Sequence, residues 1–114
     1  MADKPRVLLV AAPFYEDITE QLVAGARAQC EAEGADVDVI EVPGAFEIPG
    51  VIALAEAGAK PYDAYIGLGC VIRGETSHYD YVCGESARGL MDLALRGVCV
   101  GYGVLTVENI KQAR

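Results

Sequence analysis

Short, continuous apolar runs alternate along this chain with longer segments of helical periodicity, and this alternation restricts the fold more than any other feature. The first run, residues 7–12, lies between Arg6 and Pro13 and is typical of a strand that is buried on both faces. Further strands are predicted at residues 37–42, 65–72 and 98–105. Helices are predicted at residues 16–33, within 48–57, at 77–95 and from Glu108 onward.

Strands that alternate with helices at this spacing predict parallel pairing through right-handed crossovers, with helices on both faces of the sheet. We therefore expect a doubly wound, flavodoxin-like α/β/α sandwich with a four-stranded parallel sheet. Local signals agree with this order, because Gly34 supplies a stop for the first helix and Pro49 fits only the first turn of the second. Ser77 and Asp80 have the spacing of a capping box at the start of the third helix.

Composition restricts the class of protein. The 114 residues are enough for one domain, residues 1–114, and a chain that is 53% apolar and 23% charged is expected to fold. Its net charge of −8 would repel nucleic acids and anionic membranes, so neither is expected as a partner. The N-terminal apolar run is too short for a signal peptide or a membrane span, which predicts a cytoplasmic protein.

Cofactor and metal motifs are missing from the sequence. The four cysteines have no CxxC spacing and accompany a single histidine, so we expect reduced core thiols and no zinc site. No GxGxxG or GxxxxGK[ST] motif follows any predicted strand, which argues against dinucleotide and Walker-type binding.

The carboxyl end of the third predicted strand carries the richest set of polar residues. The chain leaves the strand through Gly74, and the amides of Glu75 and Thr76 at the following helix start are candidates for holding phosphate. An ordinary helix-entry turn is the alternative. His78, the single histidine, could serve as general acid and base, a role that imidazole side chains often have, although a lone histidine is more often structural or exposed to solvent. Arg73 could meet an anion or pair with Glu75 or Glu47, and we interpret it as mainly structural.

The ends of the first two strands carry aromatic residues and a carboxylate. Phe14 could stack on a flat heterocycle, or it could simply cap the core together with Tyr15. Glu47 could accept hydrogen bonds from sugar hydroxyls. The alternative for this second segment is a helix-entry turn in which Phe46 packs into the core.

Three strings at successive strand ends, VPGAFEIP (42–49), GCVIRGETSHYDYV (69–82) and GVLTVEN (103–109), closely resemble the lumazine synthase family. The resemblance implies condensation of 5-amino-6-ribitylaminouracil with 3,4-dihydroxy-2-butanone 4-phosphate, giving 6,7-dimethyl-8-ribityllumazine and phosphate. It implies small-molecule substrates and no metal or organic cofactor. It also implies homo-oligomers, either pentamers or assemblies of pentamers such as decamers and icosahedral shells.

The resemblance also assigns roles to individual residues. It implies that Phe14 stacks on the pyrimidine and that His78 assists proton transfers. The remaining pyrimidine-pocket residues that it implies are Ala45, Phe46, Glu47, Val71 and Ile72. The residues that it implies for the butanone phosphate are Gly74, Glu75 and Thr76. Tyr102 matches an aromatic residue that is contributed across a subunit interface.

The chain departs from the family pattern at its end. It stops at Arg114, just inside a predicted helix, so we expect this helix to be incomplete. Members of the family continue further and carry an arginine and a lysine near the phosphate. The alternative function is an inactive fragment that binds ligand or builds a shell. The joint presence of Phe14, Glu47 and His78 favours the enzyme.

Overall fold

The computed structural model describes residues 4–58, 61–74 and 76–113. Within these residues, strands and helices alternate in the predicted order. The strands are β1 (Arg6–Ala12), β2 (Asp36–Glu41), β3 (Ala64–Ile72) and β4 (Val100–Val107). The helices are α1 (Glu16–Ala32), α2 (Ile48–Glu56), α3 (His78–Leu95) and α4 (Ile110–Ala113). A short 3₁₀ turn, Ala45–Glu47, leads directly into α2.

The four strands form one parallel sheet in the order β2-β1-β3-β4, with β1 paired to both β2 and β3. Helix α1 packs against one face, and α2 and α3 pack against the other. The prediction of a flavodoxin-like α/β sandwich is confirmed. In this topology the chain departs from β1 toward one side of the sheet and from β3 toward the other, which opens a crevice beyond their carboxyl ends.

Strand β1 contributes to both halves of the core. Val7 and Leu9 point to the α1 face, where Leu22, Val23, Ala26 and Cys30 cover them. Leu8, Val10 and Ala12 point to the opposite face and pack in a cluster with Ile48 and Leu90. Because successive side chains of a strand alternate between faces, a strand covered on both sides must be apolar throughout. This explains the continuous apolar run from which the fold was predicted.

Several predicted boundaries differ from the observed ones. Strand β4 begins two residues later than predicted, since Gly97, with a φ of +90°, ends α3 and the chain needs Val98 and Cys99 to reach the sheet. The capping-box prediction is wrong, because the Ser77 side chain makes no cap hydrogen bond and Asp80 instead pairs with Arg73. The helix predicted from Glu108 begins at Ile110, after Asn109 accepts a hydrogen bond from the Gln112 amide at 3.1 Å.

Gly89 in α3 allows this helix to approach the start of α2. A Cβ added at Gly89 would lie 2.6 Å from the Cβ of Pro49, whose ring cannot turn away. We expect Gly89→Ala to lower the free energy of unfolding by about 1–3 kcal/mol, the usual cost of overpacking. Urea denaturation followed by far-UV circular dichroism measures this change.

Gly84 offers a matched control in the same helix, since an added Cβ there meets nothing within 4 Å. Gly84→Ala should therefore stabilise the protein by about 0.5–1 kcal/mol through helix propensity and reduced freedom of the unfolded chain. Equal effects of the two substitutions would show that the contact between Gly89 and Pro49 is not tight.

Candidate active site

A cleft of about 550 Å³ lies at the carboxyl ends of β1, β2 and β3, at the crevice that the topology creates. Three chain segments build it: the residues after β1, the turn before α2, and the end of β3 with the start of α3. The predicted site residues that line it are Phe14, Ala45, Phe46, Glu47, Val71, Ile72, Gly74, Thr76 and His78. Residues that are as much as 64 positions apart in the sequence, Phe14 and His78, therefore share one cavity.

The two phenylalanines at the cleft are exposed. Phe14 is 74% exposed, and its ring meets Tyr15 edge-on with the centroids 5.0 Å apart. Phe46 is 55% exposed, so the alternative in which it packs into the core is wrong. An exposed aromatic ring at the wall of a cavity can stack on a flat ligand. The stacking is favourable because it removes the apolar surface of both rings from water.

The turn before α2 places a carboxylate at the cleft. Ala45, the first residue of the turn, is buried, whereas Glu47 is exposed and lines the cavity. The possible pairing of Arg73 with Glu47 is wrong, because Arg73 pairs with other carboxylates. Among the described residues Glu47 forms no ion pair, so its oxygens can accept hydrogen bonds from a ligand.

The connection between β3 and α3 forms the opposite wall. Val71 and Ile72 are half-buried at the end of the strand, and Gly74 and Thr76 are exposed in the turn. The Thr76 hydroxyl accepts a hydrogen bond from the His78 amide at 3.3 Å, and the exposed His78 side chain lines the cleft. Glu75, a predicted phosphate contact, lies outside the described residues.

Arg73 is bound on several sides. Its Nε donates to Glu108 at 2.6 Å, its Nη1 lies 3.3 Å from an Asp80 oxygen, and its guanidinium lies 4.4 Å from the centre of the Tyr79 ring. The hydrogen bond to Glu108 is the main reason that the pKa of Arg73 is raised above its ordinary value. Glu75 and Glu47 were the partners considered from the sequence, whereas Glu108, which is 35 residues away in the chain, was not expected.

Tyr102 stands apart from this cavity. It lies on β4, and its hydroxyl is 3.2 Å from the buried hydroxyl of Ser86 on α3. Burial raises the pKa of the Tyr102 hydroxyl. Tyr102 is not among the residues that line the cleft of its own chain, although its side chain remains 42% exposed.

Other lining residues escaped sequence reasoning, namely Tyr79, Tyr81 and Val82 in the first turns of α3. Their positions directly after His78 were the available signal, because a helix that starts at a site directs part of its first turns toward it. Cys70 also lines the cleft, and burial raises the pKa of its thiol. The cysteines are unpaired, but Cys99 is exposed, so the prediction that all four are core residues is wrong there.

Residues 4–58, 61–74 and 76–113 contain no cluster of three or more His, Cys, Asp and Glu side chains able to hold a metal ion. Over the same ranges, no helix has the length and hydropathy needed to cross a bilayer.

Comparison with known proteins identifies the family. A sequence profile described as 6,7-dimethyl-8-ribityllumazine synthase matches residues 4–114. Three similar proteins with this same name come from Methylorubrum populi, Methylorubrum extorquens and Novosphingobium aromaticivorans. Their identities to this chain are 58% over 113 residues, 58% over 113 residues and 54% over 108 residues, in each case over 95% of the chain.

The chain spans 67%, 65% and 77% of the lengths of these three relatives, respectively. The match therefore covers nearly all of this chain and about two thirds of the two Methylorubrum proteins. It includes the three segments that form the cleft. The chain belongs to the 6,7-dimethyl-8-ribityllumazine synthase family.

Proposed function

We propose that this protein is an enzyme of riboflavin biosynthesis, a transferase that forms 6,7-dimethyl-8-ribityllumazine. Its substrates are 5-amino-6-ribitylaminouracil and 3,4-dihydroxy-2-butanone 4-phosphate, and it uses no metal or organic cofactor. One observation carries the proposal: the cleft brings together an exposed aromatic wall, a carboxylate without an ion pair to a described residue, and a helix start with an adjacent histidine.

The first two segments suit the pyrimidine substrate. Phe14 stacks on the heterocycle, while Ala45 and Phe46 position it from the turn before α2. Glu47 accepts hydrogen bonds from the ribityl hydroxyls, for which a carboxylate is a strong acceptor. Val71 and Ile72 complete the pocket with apolar surface at the end of β3.

The turn between β3 and α3 suits the phosphorylated ketone. Helix α3 has 18 residues, and the amides at its start direct positive partial charge toward the turn that contains Gly74, Glu75 and Thr76. The described lining residues include no lysine or arginine, so amides and the Thr76 hydroxyl supply the local donors. These fixed donors offset the repulsion between a −8 chain and an anionic substrate.

The reaction requires alignment and several proton transfers. The primary amine attacks the ketone and water leaves to give an imine, phosphate is then eliminated, and ring closure releases a second water. His78 lies beside the phosphate turn and can alternately accept and donate the protons of these steps. Holding the two reactants in contact supplies much of the remaining acceleration.

The proposal includes a homo-oligomer, specifically a pentamer or an assembly of pentamers, in the cytoplasm. Leu54 on α2 and Met91 and Leu95 on α3 are 76%, 60% and 78% exposed, and burying such side chains against a neighbouring subunit would remove apolar surface from water. Tyr102 is outside its own cleft and partly exposed, which fits a side chain that completes the site of a neighbouring subunit.

An inactive protein that binds ligand or builds a shell is the second candidate. The exposed apolar side chains of α2 and α3 favour it as much as they favour the enzyme, since assembly alone requires them. It does not require His78 beside the phosphate turn. Retention of a bound lumazine without turnover would identify this alternative.

Phosphate release tests the proposed reaction. We expect inorganic phosphate to appear only when both substrates are present, with one phosphate per lumazine, because elimination follows imine formation. A coupled phosphate assay run beside absorbance detection of lumazine measures this ratio. Phosphate release from the ketone alone would indicate a phosphatase-like activity and contradict the proposal.

A further inference from the structure

Arg73 connects the two ends of the turn that precedes α3. Its backbone amide donates to the Val107 carbonyl at 2.9 Å, which fixes the last residue before Gly74 to the end of β4. Its guanidinium then spans the turn to reach Asp80 and Tyr79 in the first turn of α3. The guanidinium also donates a hydrogen bond to Glu108, which directly follows β4. One side chain thus joins three elements around the candidate phosphate turn.

The turn itself has few other constraints among the described residues. A Cβ added at Gly74 would meet nothing within 4 Å, so packing does not fix this residue. Gly74, Thr76 and Ser77 are exposed, and the Ser77 side chain makes no cap hydrogen bond. The hydrogen bond from the His78 amide to Thr76 is local to the turn and cannot orient it relative to the sheet.

The charge of Arg73 is already engaged. Two carboxylates, those of Glu108 and Asp80, lie on its guanidinium, so a phosphate would have to compete with both. We propose that Arg73 is a positioning residue, which holds Gly74, Thr76 and the start of α3 in the orientation that receives the substrate phosphate. This inference rests on the proposed function and assigns Arg73 no contact with substrate.

The ion pairs of Arg73 are too exposed to contribute much to the stability of the fold. The side chains of Arg73, Asp80 and Glu108 are 42%, 62% and 57% exposed, and ion pairs of such exposed groups contribute little to global stability. Arg88 on α3 provides an internal comparison, because it also lies between two carboxylates, Glu85 and Asp92, but both of these belong to α3 itself, so Arg88 joins no other element.

The substitution Glu108→Ala separates positioning from phosphate binding, because the two roles predict opposite results. If Arg73 positions the turn, losing its hydrogen bond to Glu108 should misplace the groups that bind phosphate. The KM for the butanone phosphate should then rise about tenfold. The KM for the pyrimidine should stay within about twofold, since Phe14 and Glu47 lie on other segments. If Arg73 were a phosphate ligand, its released charge would lower the KM for the butanone phosphate, and that result would overturn the inference.

Arg73→Lys tests whether a positive charge at residue 73 is sufficient to position the turn. A lysine ammonium cannot hold two carboxylates in a planar fork while stacking on Tyr79, so we expect the KM for the butanone phosphate to rise again by about tenfold. A wild-type KM in Arg73→Lys would contradict the positioning role. Arg88→Gln is the matched control and should leave both KM values within about twofold.

Hydrogen exchange gives a readout that does not depend on catalysis. The amides of His78 and Asp80 donate to Thr76 and Ser77 within the turn, so we expect Glu108→Ala to accelerate their exchange about tenfold in the ligand-free protein. Unchanged exchange would overturn the inference even if the enzyme is active. Faster exchange in Glu108→Ala would support the role of Arg73 in ordering the turn even if the wild-type protein forms no lumazine. In that case only the proposed reaction would be rejected.

Discussion

Replacing Phe14 by alanine should raise the KM for the ribitylamino-pyrimidine about 10- to 100-fold. Stacking of an aromatic ring on a nucleobase is worth about 1–3 kcal/mol, and 1.4 kcal/mol corresponds to a factor of ten in binding. Phe14 is suited to this contact because its ring lines the cleft, is 74% exposed, and is supported edge-on by Tyr15. Steady-state kinetics with the pyrimidine varied at saturating butanone phosphate measures the effect.

The matched control for this prediction is Phe14→Tyr, which keeps a ring of the same shape and should hold the KM within about threefold. Because the Phe14 side chain is largely exposed, the alanine variant should unfold with a free energy within about 0.5 kcal/mol of the wild type. Equal KM values for the alanine and tyrosine variants would mean that the ring does not stack on the substrate.

Replacing His78 by alanine should lower kcat about 100-fold without abolishing turnover. General acid and base catalysis usually contributes at least about two orders of magnitude, whereas the alignment of the two substrates in the cleft is retained. His78 lies in the first turn of α3 with an exposed side chain at the cavity, so its loss removes no buried contact. The measurement is kcat at saturation with both substrates, together with the uncatalysed rate.

Added imidazole should restore part of the lost rate in His78→Ala, since a diffusible base can enter the open site. Ser77→Ala is the neighbouring control, because the Ser77 side chain makes no cap hydrogen bond and does not line the cleft. Its kcat should stay within about twofold of the wild type. A His78→Ala enzyme with unchanged kcat would assign the proton transfers to another group or to water.

The sequence predicted those features that local pattern determines. The apolar run of β1 and the four-residue repeat of α1 indicated the sandwich correctly, because each element must bury its apolar surface against a neighbour. Phe14, Glu47 and His78 were predicted as site residues because they follow the ends of strands, and the structure brings them to one cleft. This succeeded because parallel strands present their carboxyl ends at one edge of the sheet.

The features that were missed depend on contacts between distant segments. Glu108 was not expected as the partner of Arg73, since no sequence periodicity connects residues 73 and 108. The capping box of Ser77 and Asp80 also failed, because the Ser77 side chain makes no cap hydrogen bond and the Asp80 carboxylate pairs with Arg73. The exposure of Phe46 and Cys99 likewise depends on how the segments pack, and residue type alone favoured burial.

The most direct test of the proposed function is the rate of lumazine formation. The purified protein is mixed with 5-amino-6-ribitylaminouracil and 3,4-dihydroxy-2-butanone 4-phosphate, and the absorbance of 6,7-dimethyl-8-ribityllumazine is followed beside a protein-free reaction. We expect product well above the uncatalysed rate, with a lower rate when the same concentration of His78→Ala is used. Product formation at the uncatalysed rate would contradict the proposed activity and leave this cleft as a binding site or a scaffold.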